Sequence, residues 1–184
     1  NNVPKYFGRT PESLIEDWDV ARKYGTEVHL EIENWIKNGT EPKDLRAVFA
    51  KSWIGGYVNK PHIKTLSEVI VFSEELGIAG TIDILMMNQD SNEYVLIDWK
   101  TSKRIDMKSF KGKMGIKKET KKIEDCNYNH YALQLSLYRY ILETYYGINI
   151  NRQIIAHLKE DGVQTYSTPY MKNEIKNMLV NAEL

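Results

Sequence analysis

Apolar positions recur at helical spacing in the first part of the chain, and in alternation further on. Leu14, Trp18, Ala21, Val28, Ile32, Trp35 and Ile36 follow a near-3.6-residue period. That spacing predicts a helix over 11–38, with Ser13 and Glu16 as a capping box and Asn38-Gly39 as its end. A second helix is predicted from Pro42 to about Ser52, with Gly55-Gly56 and Pro61 as loop. From Leu66 the texture becomes β. Leu66–Ser73, Gly77–Met87 and Glu93–Lys100 are rich in Val, Ile and Leu and are separated by turn residues, which predicts a three-strand meander. Residues 102–126 lack a clean period. Asn127–Tyr146 reads as a strong helix stopped by Gly147; Asn151–Lys159 and Val163–Thr168 read as strands around Asp161-Gly162; Pro169 opens a last helix that fades near Leu184. The predicted order is α(α)βββαββα, an α/β (α+β) fold with a central mixed sheet flanked by helices.

The chain has 184 residues, which suits one domain spanning 1–184 with a single sizeable core. Its formal net charge is zero, but the distribution is uneven. Residues 103–122 carry nine Lys or Arg against Asp106 and Glu119, a net +7 that leaves −7 on the remainder. The single cysteine, Cys126, excludes an internal disulfide and a four-cysteine metal site. No apolar run approaches a membrane span, and Asn1-Asn2-Val3-Pro4 shows no signal-peptide pattern, so a cytoplasmic setting is the expectation.

Alternation places the chemistry. In the third strand Asp98 and Lys100 share one face, opposite Val95, Ile97 and Trp99. In the second strand Thr81, Asp83 and Leu85 are expected to share a face, opposite Ile82, Ile84 and Met86. The turn at 88–92 is compatible with Asp83 lying beside Asp98. Carboxylates in mid-sheet are costly unless paired or holding a cation, and two of them beside a lysine form a site for a hard divalent ion. An ion pair between Lys100 and either aspartate accounts for the same residues. His29 lies on the stripe with Ile32 and Ile36, as a metal ligand or as a core histidine. Gly25, one turn earlier, is unfavourable inside a helix by about 1 kcal/mol and implies a close approach on that face, from a substrate or from the sheet. Gln134 and Tyr138, at i and i+4, share one helix face, for the site or for packing. Glu68, grouped by parity with Ile70 and Phe72, is either a further ligand or a solvated strand-end residue.

Taken together and in order, Gly25-x-x-x-His29, Gly80-x-x-Asp83, Asp98-x-Lys100 and Gln134-x-x-x-Tyr138 resemble the motifs of the RecB-like branch of the PD-(D/E)XK nuclease superfamily. The resemblance covers about residues 20–160. It implies a restriction-endonuclease-like core and a metal-dependent nuclease, most of all a DNA exonuclease acting at ends in recombination, replication or repair. An endonuclease acting on DNA or RNA, or a catalytically decayed nucleic-acid-binding module, are the alternatives. By the same resemblance His29, Asp83 and Asp98 bind Mg²⁺ or Mn²⁺, the Trp99 carbonyl adds a ligand, Lys100 is the catalytic lysine, and Gln134 and Tyr138 organise the site and the substrate. A histidine ligand favours Mn²⁺ in affinity. The iron–sulfur cluster of many relatives is excluded by the cysteine count. The basic segment 102–126 is expected to be a loop or lid whose Lys103, Arg104, Lys108, Lys111 and Lys113 neutralise phosphates. DNA is the expected partner, with a single-strand annealing or replication protein possible by analogy, and no membrane is involved.

Overall fold

The computed structural model describes residues 7–180. The N-terminal Asn1-Asn2-Val3-Pro4 and the close of the last helix near Leu184 lie outside them. Four helices and five strands follow in the order α1 (Pro11–Asn38), α2 (Leu45–Val58), β1 (Ile63–Ser73), β2 (Ile78–Asn88), β3 (Glu93–Lys100), α3 (Asn127–Tyr145), β4 (Ile150–Lys159), β5 (Gly162–Ser167) and α4 (Lys172–Val180). The strands form one mixed sheet in the order β1-β2-β3-β4-β5. All neighbouring pairs are antiparallel except β3–β4, which is parallel and therefore needs the long connection that segment 102–126 and α3 supply.

The helix ends show where local signals were misread. The cap of α1 is Thr10, whose hydroxyl accepts from the Ser13 N–H, so Ser13 lies inside the first turn. Helix α2 starts at Leu45 behind an Asp44 cap and runs through Gly55-Gly56, which the glycine pair had marked as loop. Ala47, Ala50 and Ile54 are fully buried at helical spacing, and that burial outweighs a penalty of about 1 kcal/mol per glycine. Pro169 does not open the last helix. Its carbonyl accepts from the Gln153 amide and the Ser136 hydroxyl, and α4 begins at Lys172.

Two apolar layers enclose the sheet. On one face Val28 and Ile32 of α1 and Ala47, Ala50 and Ile54 of α2 pack on Ile84, Met86, Ile97, Trp99, Ala156 and Leu158. On the other, Leu135, Ile141 and Leu142 of α3 pack on Val71, Ile82, Leu85, Leu96, Ile150 and Ile155. Membership of these layers corrects the expected alternation in β2. Ile82 belongs to the α3 layer and Ile84 to the α1–α2 layer, so Thr81, Asp83 and Leu85 do not form one continuous face. The phase changes in β1 at the same level: Ile63 packs with α1–α2, whereas Val69 and Val71 pack with α3. At the point of change Glu68 has a φ of 52°, and the pairing runs Ser67↔Ile84 then Val69↔Ile82, with Glu68 and Asp83 between. A left-handed residue within a strand costs on the order of 1–3 kcal/mol and reverses the faces on either side of it. The outer half of the β1–β2 hairpin is thereby turned relative to the inner half.

Candidate functional site

Trp99 explains why Asp98 and Lys100 face where they do. Its side chain is fully buried under α2, with the Trp53 ring edge-on at 5.7 Å. A residue so large, held in the α1–α2 layer, forces both of its neighbours to the opposite face. There the Lys100 Nζ lies 2.7 Å from Asp98 Oδ2, and sits over the Tyr131 ring of α3 at 4.6 Å from its centre. Burial pushes the Asp98 carboxyl up to about 6; Lys100 works against that rise, and the Asp83 charge adds to it. For Lys100 burial acts to lower the pKa, but Asp98, Asp83 and Tyr131 reverse the sign and it is raised.

The turned hairpin brings a second group beside this pair. His29, Glu68 and Asp83 each present a ligand atom, and these atoms all lie within 4.8 Å of one another. His29 Nδ1 is 3.6 Å from Asp83 Oδ1. The other Asp83 oxygen accepts the Trp99 N–H at 2.7 Å, which ties the carboxylate of β2 to the backbone of β3 between Asp98 and Lys100. One imidazole and two carboxylates form a donor set suited to a divalent transition ion, with Mg²⁺ also served by the carboxylates. The residues present therefore fit a divalent metal. The strained Glu68 backbone is at the same place, which is where such strain commonly accompanies function. Asp98 does not join this triad; its Oδ2 is held by Lys100. Its charge is nonetheless felt there, since Asp83 raises the Asp98 pKa and Asp98 raises that of His29.

The expected glycines and polar pair are in contact with the same site. A Cβ on Gly25 would lie 3.0 Å from Thr101 Oγ1, so the close approach implied by that glycine is the packing of α1 on the end of the Lys100 strand. A Cβ on Gly80 would lie 2.5 Å from the Tyr138 ring, so this glycine lets α3 close down on β2. Gln134 donates to the Tyr138 hydroxyl at 3.1 Å. Three positions went unread in the sequence. Tyr131 of α3 carries the Lys100 ammonium on its ring face. Arg46 of α2 donates to the Thr101 carbonyl at 2.8 Å, and buried His157 of β4 holds the Ser102 carbonyl at 2.6 Å. Both fix the chain as it leaves Lys100. Only the Lys100↔His157 register could have pointed to the histidine, and a sequence does not carry register.

Of the candidate phosphate contacts, Arg104 pairs with Asp106 at 3.0 Å, and Lys111 lies over the Phe110 ring. Segment 102–126 is more ordered than its aperiodic sequence implied. It contains a short 3₁₀ turn at Phe110–Gly112 and a Met114↔Glu124 bridge.

The site groups set the pH response of the metal-free fold. Burial raises Glu68, assisted by Asp83. For His29 burial acts downward, and the hydrogen bond and charge of Asp83 with the charge of Asp98 outweigh it, so it too is raised. Glu68, His29 and Asp98 all hold protons more tightly folded than unfolded. Their contribution is complete below the unfolded values and is lost as pH rises through the folded ones. Acidification from pH 8 to 6 in EDTA is therefore expected to raise Tm by roughly 2 °C or more, and Asp98→Asn to shrink that rise. A Tm that falls over this range, equally in both proteins, would exclude the assignment.

The architecture is thus a mixed sheet between helical layers, with a His–Glu–Asp cluster that could hold a cation and a buried Asp–Lys pair at the C-terminal end of β3. No helix among the described residues is long and apolar enough to cross a membrane. No protein-family model and no curated protein matches the chain. Among solved structures, the protein SSO0001 is similar over 94% of this chain and 69% of its own length, at 16% identity and a TM-score of 0.39. A candidate exonuclease from Eubacterium rectale is similar over 91% of this chain and 63% of its own length, at 16% identity and a TM-score of 0.38.

Proposed function

We propose that this chain is a metal-dependent nuclease of the RecB-like branch of the PD-(D/E)XK superfamily, hydrolysing phosphodiester bonds in DNA and acting at ends. The observation that carries the reading is the joint placement of His29, Glu68 and Asp83 around one point, beside a lysine paired with a buried aspartate. A divalent ion held by His29, Glu68 and Asp83 would supply Lewis-acid activation of water and neutralise the scissile phosphate. Asp98 aligns the Lys100 ammonium and adds negative charge to the cluster. Lys100, steadied between Asp98 and the Tyr131 face, would orient the attacking water and stabilise charge growing on the phosphoryl oxygens. The Trp99 N–H keeps Asp83 from rotating away. Gln134 and Tyr138 offer hydrogen bonds to the sugar–phosphate backbone as it crosses the site, and the lysines of 102–126 supply counter-charge.

The test is cleavage of linear duplex DNA, closed circular DNA, single-stranded DNA and RNA, each with Mn²⁺, Mg²⁺ or EDTA. Shortening of linear DNA only, dependent on the metal, is expected. Relaxed or linearised circles would mark an endonuclease, and degraded RNA a ribonuclease. If no polymer is cut while Mn²⁺ still binds by calorimetry, the catalytic reading fails and a binding module remains.

A further inference from the structure

Segment 102–126 exposes more apolar surface than a purely electrostatic lid requires. Ile116 is fully exposed, Phe110 is 72% exposed, and Met107 and Met114 are about half exposed. These four residues lie within ten positions and are interleaved with Lys108, Lys111, Lys113 and Lys117. Water-facing apolar groups of this density ordinarily mark a binding surface.

The segment is also built to hold its shape. The Gly115 N–H donates to the Ile123 carbonyl and the Asp125 N–H to that of Lys113, closing a hairpin. At Gly115 a Cβ would collide with the Thr120 side chain, so the two arms close onto each other. The Glu124 carboxylate accepts the Ser109 N–H at 2.7 Å, and the Asn129 side chain of α3 holds the Glu124 carbonyl at 2.8 Å. Asn127 grips the base through Asp106 N–H and the Arg104 carbonyl. The hairpin is therefore rooted on the N-terminus of α3, the helix that carries Tyr131, Gln134 and Tyr138, and it leaves directly from the Lys100 strand.

Three of its four acidic side chains are already engaged: Asp106 with Arg104, Glu124 with the Ser109 N–H, and Asp125 with His130 of α3; Glu119 is the fourth. None of its eight lysines enters an ion pair among the described residues. The positive charge is available to a polyanion, and the apolar groups need apolar surface between the charges.

From this pairing we infer that the hairpin grips an unpaired nucleic-acid strand, with Phe110 and Ile116 against base faces and the flanking lysines on phosphates. In a duplex the base faces are covered by their neighbours, and only edges and phosphates are open. Phe110 and Ile116 then have nothing to bury against. In a single strand or a frayed end the faces are open, and stacking on them adds to the phosphate contacts. The inference deepens the nuclease reading by naming the strand state that reaches Lys100.

The test is binding of the full chain, in EDTA, to a fluorescent single-stranded oligonucleotide and to the same length of duplex. Phe110→Ala with Ile116→Ser should weaken single-strand binding about tenfold, and change duplex binding less than twofold. Because both side chains face water, Tm should not move. Phe110→Trp, with Ile116 kept, should retain single-strand affinity and add fluorescence that quenches on binding. Lys117→Gln with Lys118→Gln should weaken both substrates and flatten the salt dependence. Equal loss on both substrates in the apolar double variant, or no loss on either, overturns the inference. So does binding of wild type, lost in that variant, to vesicles of phosphatidylserine and phosphatidylcholine without any single-strand preference. Cleavage is read separately. Absent cleavage with intact single-strand preference defeats the nuclease reading alone, and cleavage without that preference defeats this inference alone.

Discussion

Lys100→Ala is expected to reduce DNA cleavage by a factor of about 10²–10³ or more, while DNA binding in EDTA stays within about threefold of wild type. The ammonium is one positive charge at the reacting phosphate, against eight other lysines in the hairpin, so its loss falls on the chemical step. Removing it also leaves Asp98 without its partner. That residue is 4% exposed, and its carboxyl already titrates near 6 because of burial. The carboxyl therefore responds by taking up a proton, and the fold survives. Lys100→Met, which keeps the stem against Tyr131, separates the two consequences. It should lose cleavage to the same extent as the alanine variant with less effect on Tm. Single-turnover cleavage with Mn²⁺ and thermal melting are the measurements. Cleavage at the wild-type rate in the methionine variant would remove Lys100 from the chemistry.

The second large effect is expected at Asp83, where one carboxylate does two things. One oxygen lies toward His29 in the cation cluster, and the other accepts the Trp99 N–H. Asp83→Ala should abolish measurable Mn²⁺ uptake by calorimetry and leave a buried N–H unpaired, at a cost of about 1–3 kcal/mol. Part of that cost is returned, because Glu68 and Asp98 both lose a like-charged neighbour. Asp83→Asn keeps an acceptor for the Trp99 N–H and removes only the charge. It should fold as wild type, bind Mn²⁺ at least about tenfold more weakly, and fail to cleave. Undiminished Mn²⁺ uptake in Asp83→Asn would mean that the ion, if any, sits elsewhere.

Most of the secondary structure was legible because the chain is locally consistent. The period of α1 and the alternating strands predicted elements whose limits agree with the structure to within a few residues. The exceptions have tertiary causes. Helix α2 crosses Gly55-Gly56 because Ile54 and Trp53 are drawn into the sheet, and Pro169 is held as an acceptor by Gln153 and Ser136 before α4 starts. The Asp98/Lys100 face was legible for a simple reason. Trp99 is between them, and burying a tryptophan on one face of a strand turns its two neighbours to the other face.

Glu68 and Asp83 mark the limit of that reasoning. Strict alternation carries a strand's faces along its whole length, and by that rule Glu68 belonged with Ile70 and Phe72. Both of those are exposed, while Glu68 meets His29 and Asp83. The difference is one left-handed residue, whose φ no hydrophobic pattern records. Gly80 shows the converse. Its place in a motif was visible, but the reason for it, the Tyr138 ring where a Cβ would go, required α3 to be docked.

The residue types and their spacing along single elements were determined by the sequence itself, since periodicity is a property of the local backbone. They include a histidine one turn from a glycine, an acid and a lysine two apart, and a glutamine and tyrosine four apart. Which of them meet was decided by tertiary structure. The turn in the β1–β2 hairpin swings Glu68 toward His29, the Trp99 N–H pins Asp83, and the packing of α3 sets Tyr131 under Lys100. Each of these depends on contacts between positions distant along the chain, and such contacts follow from the register and rotation of packed elements, which no local pattern of side chains encodes.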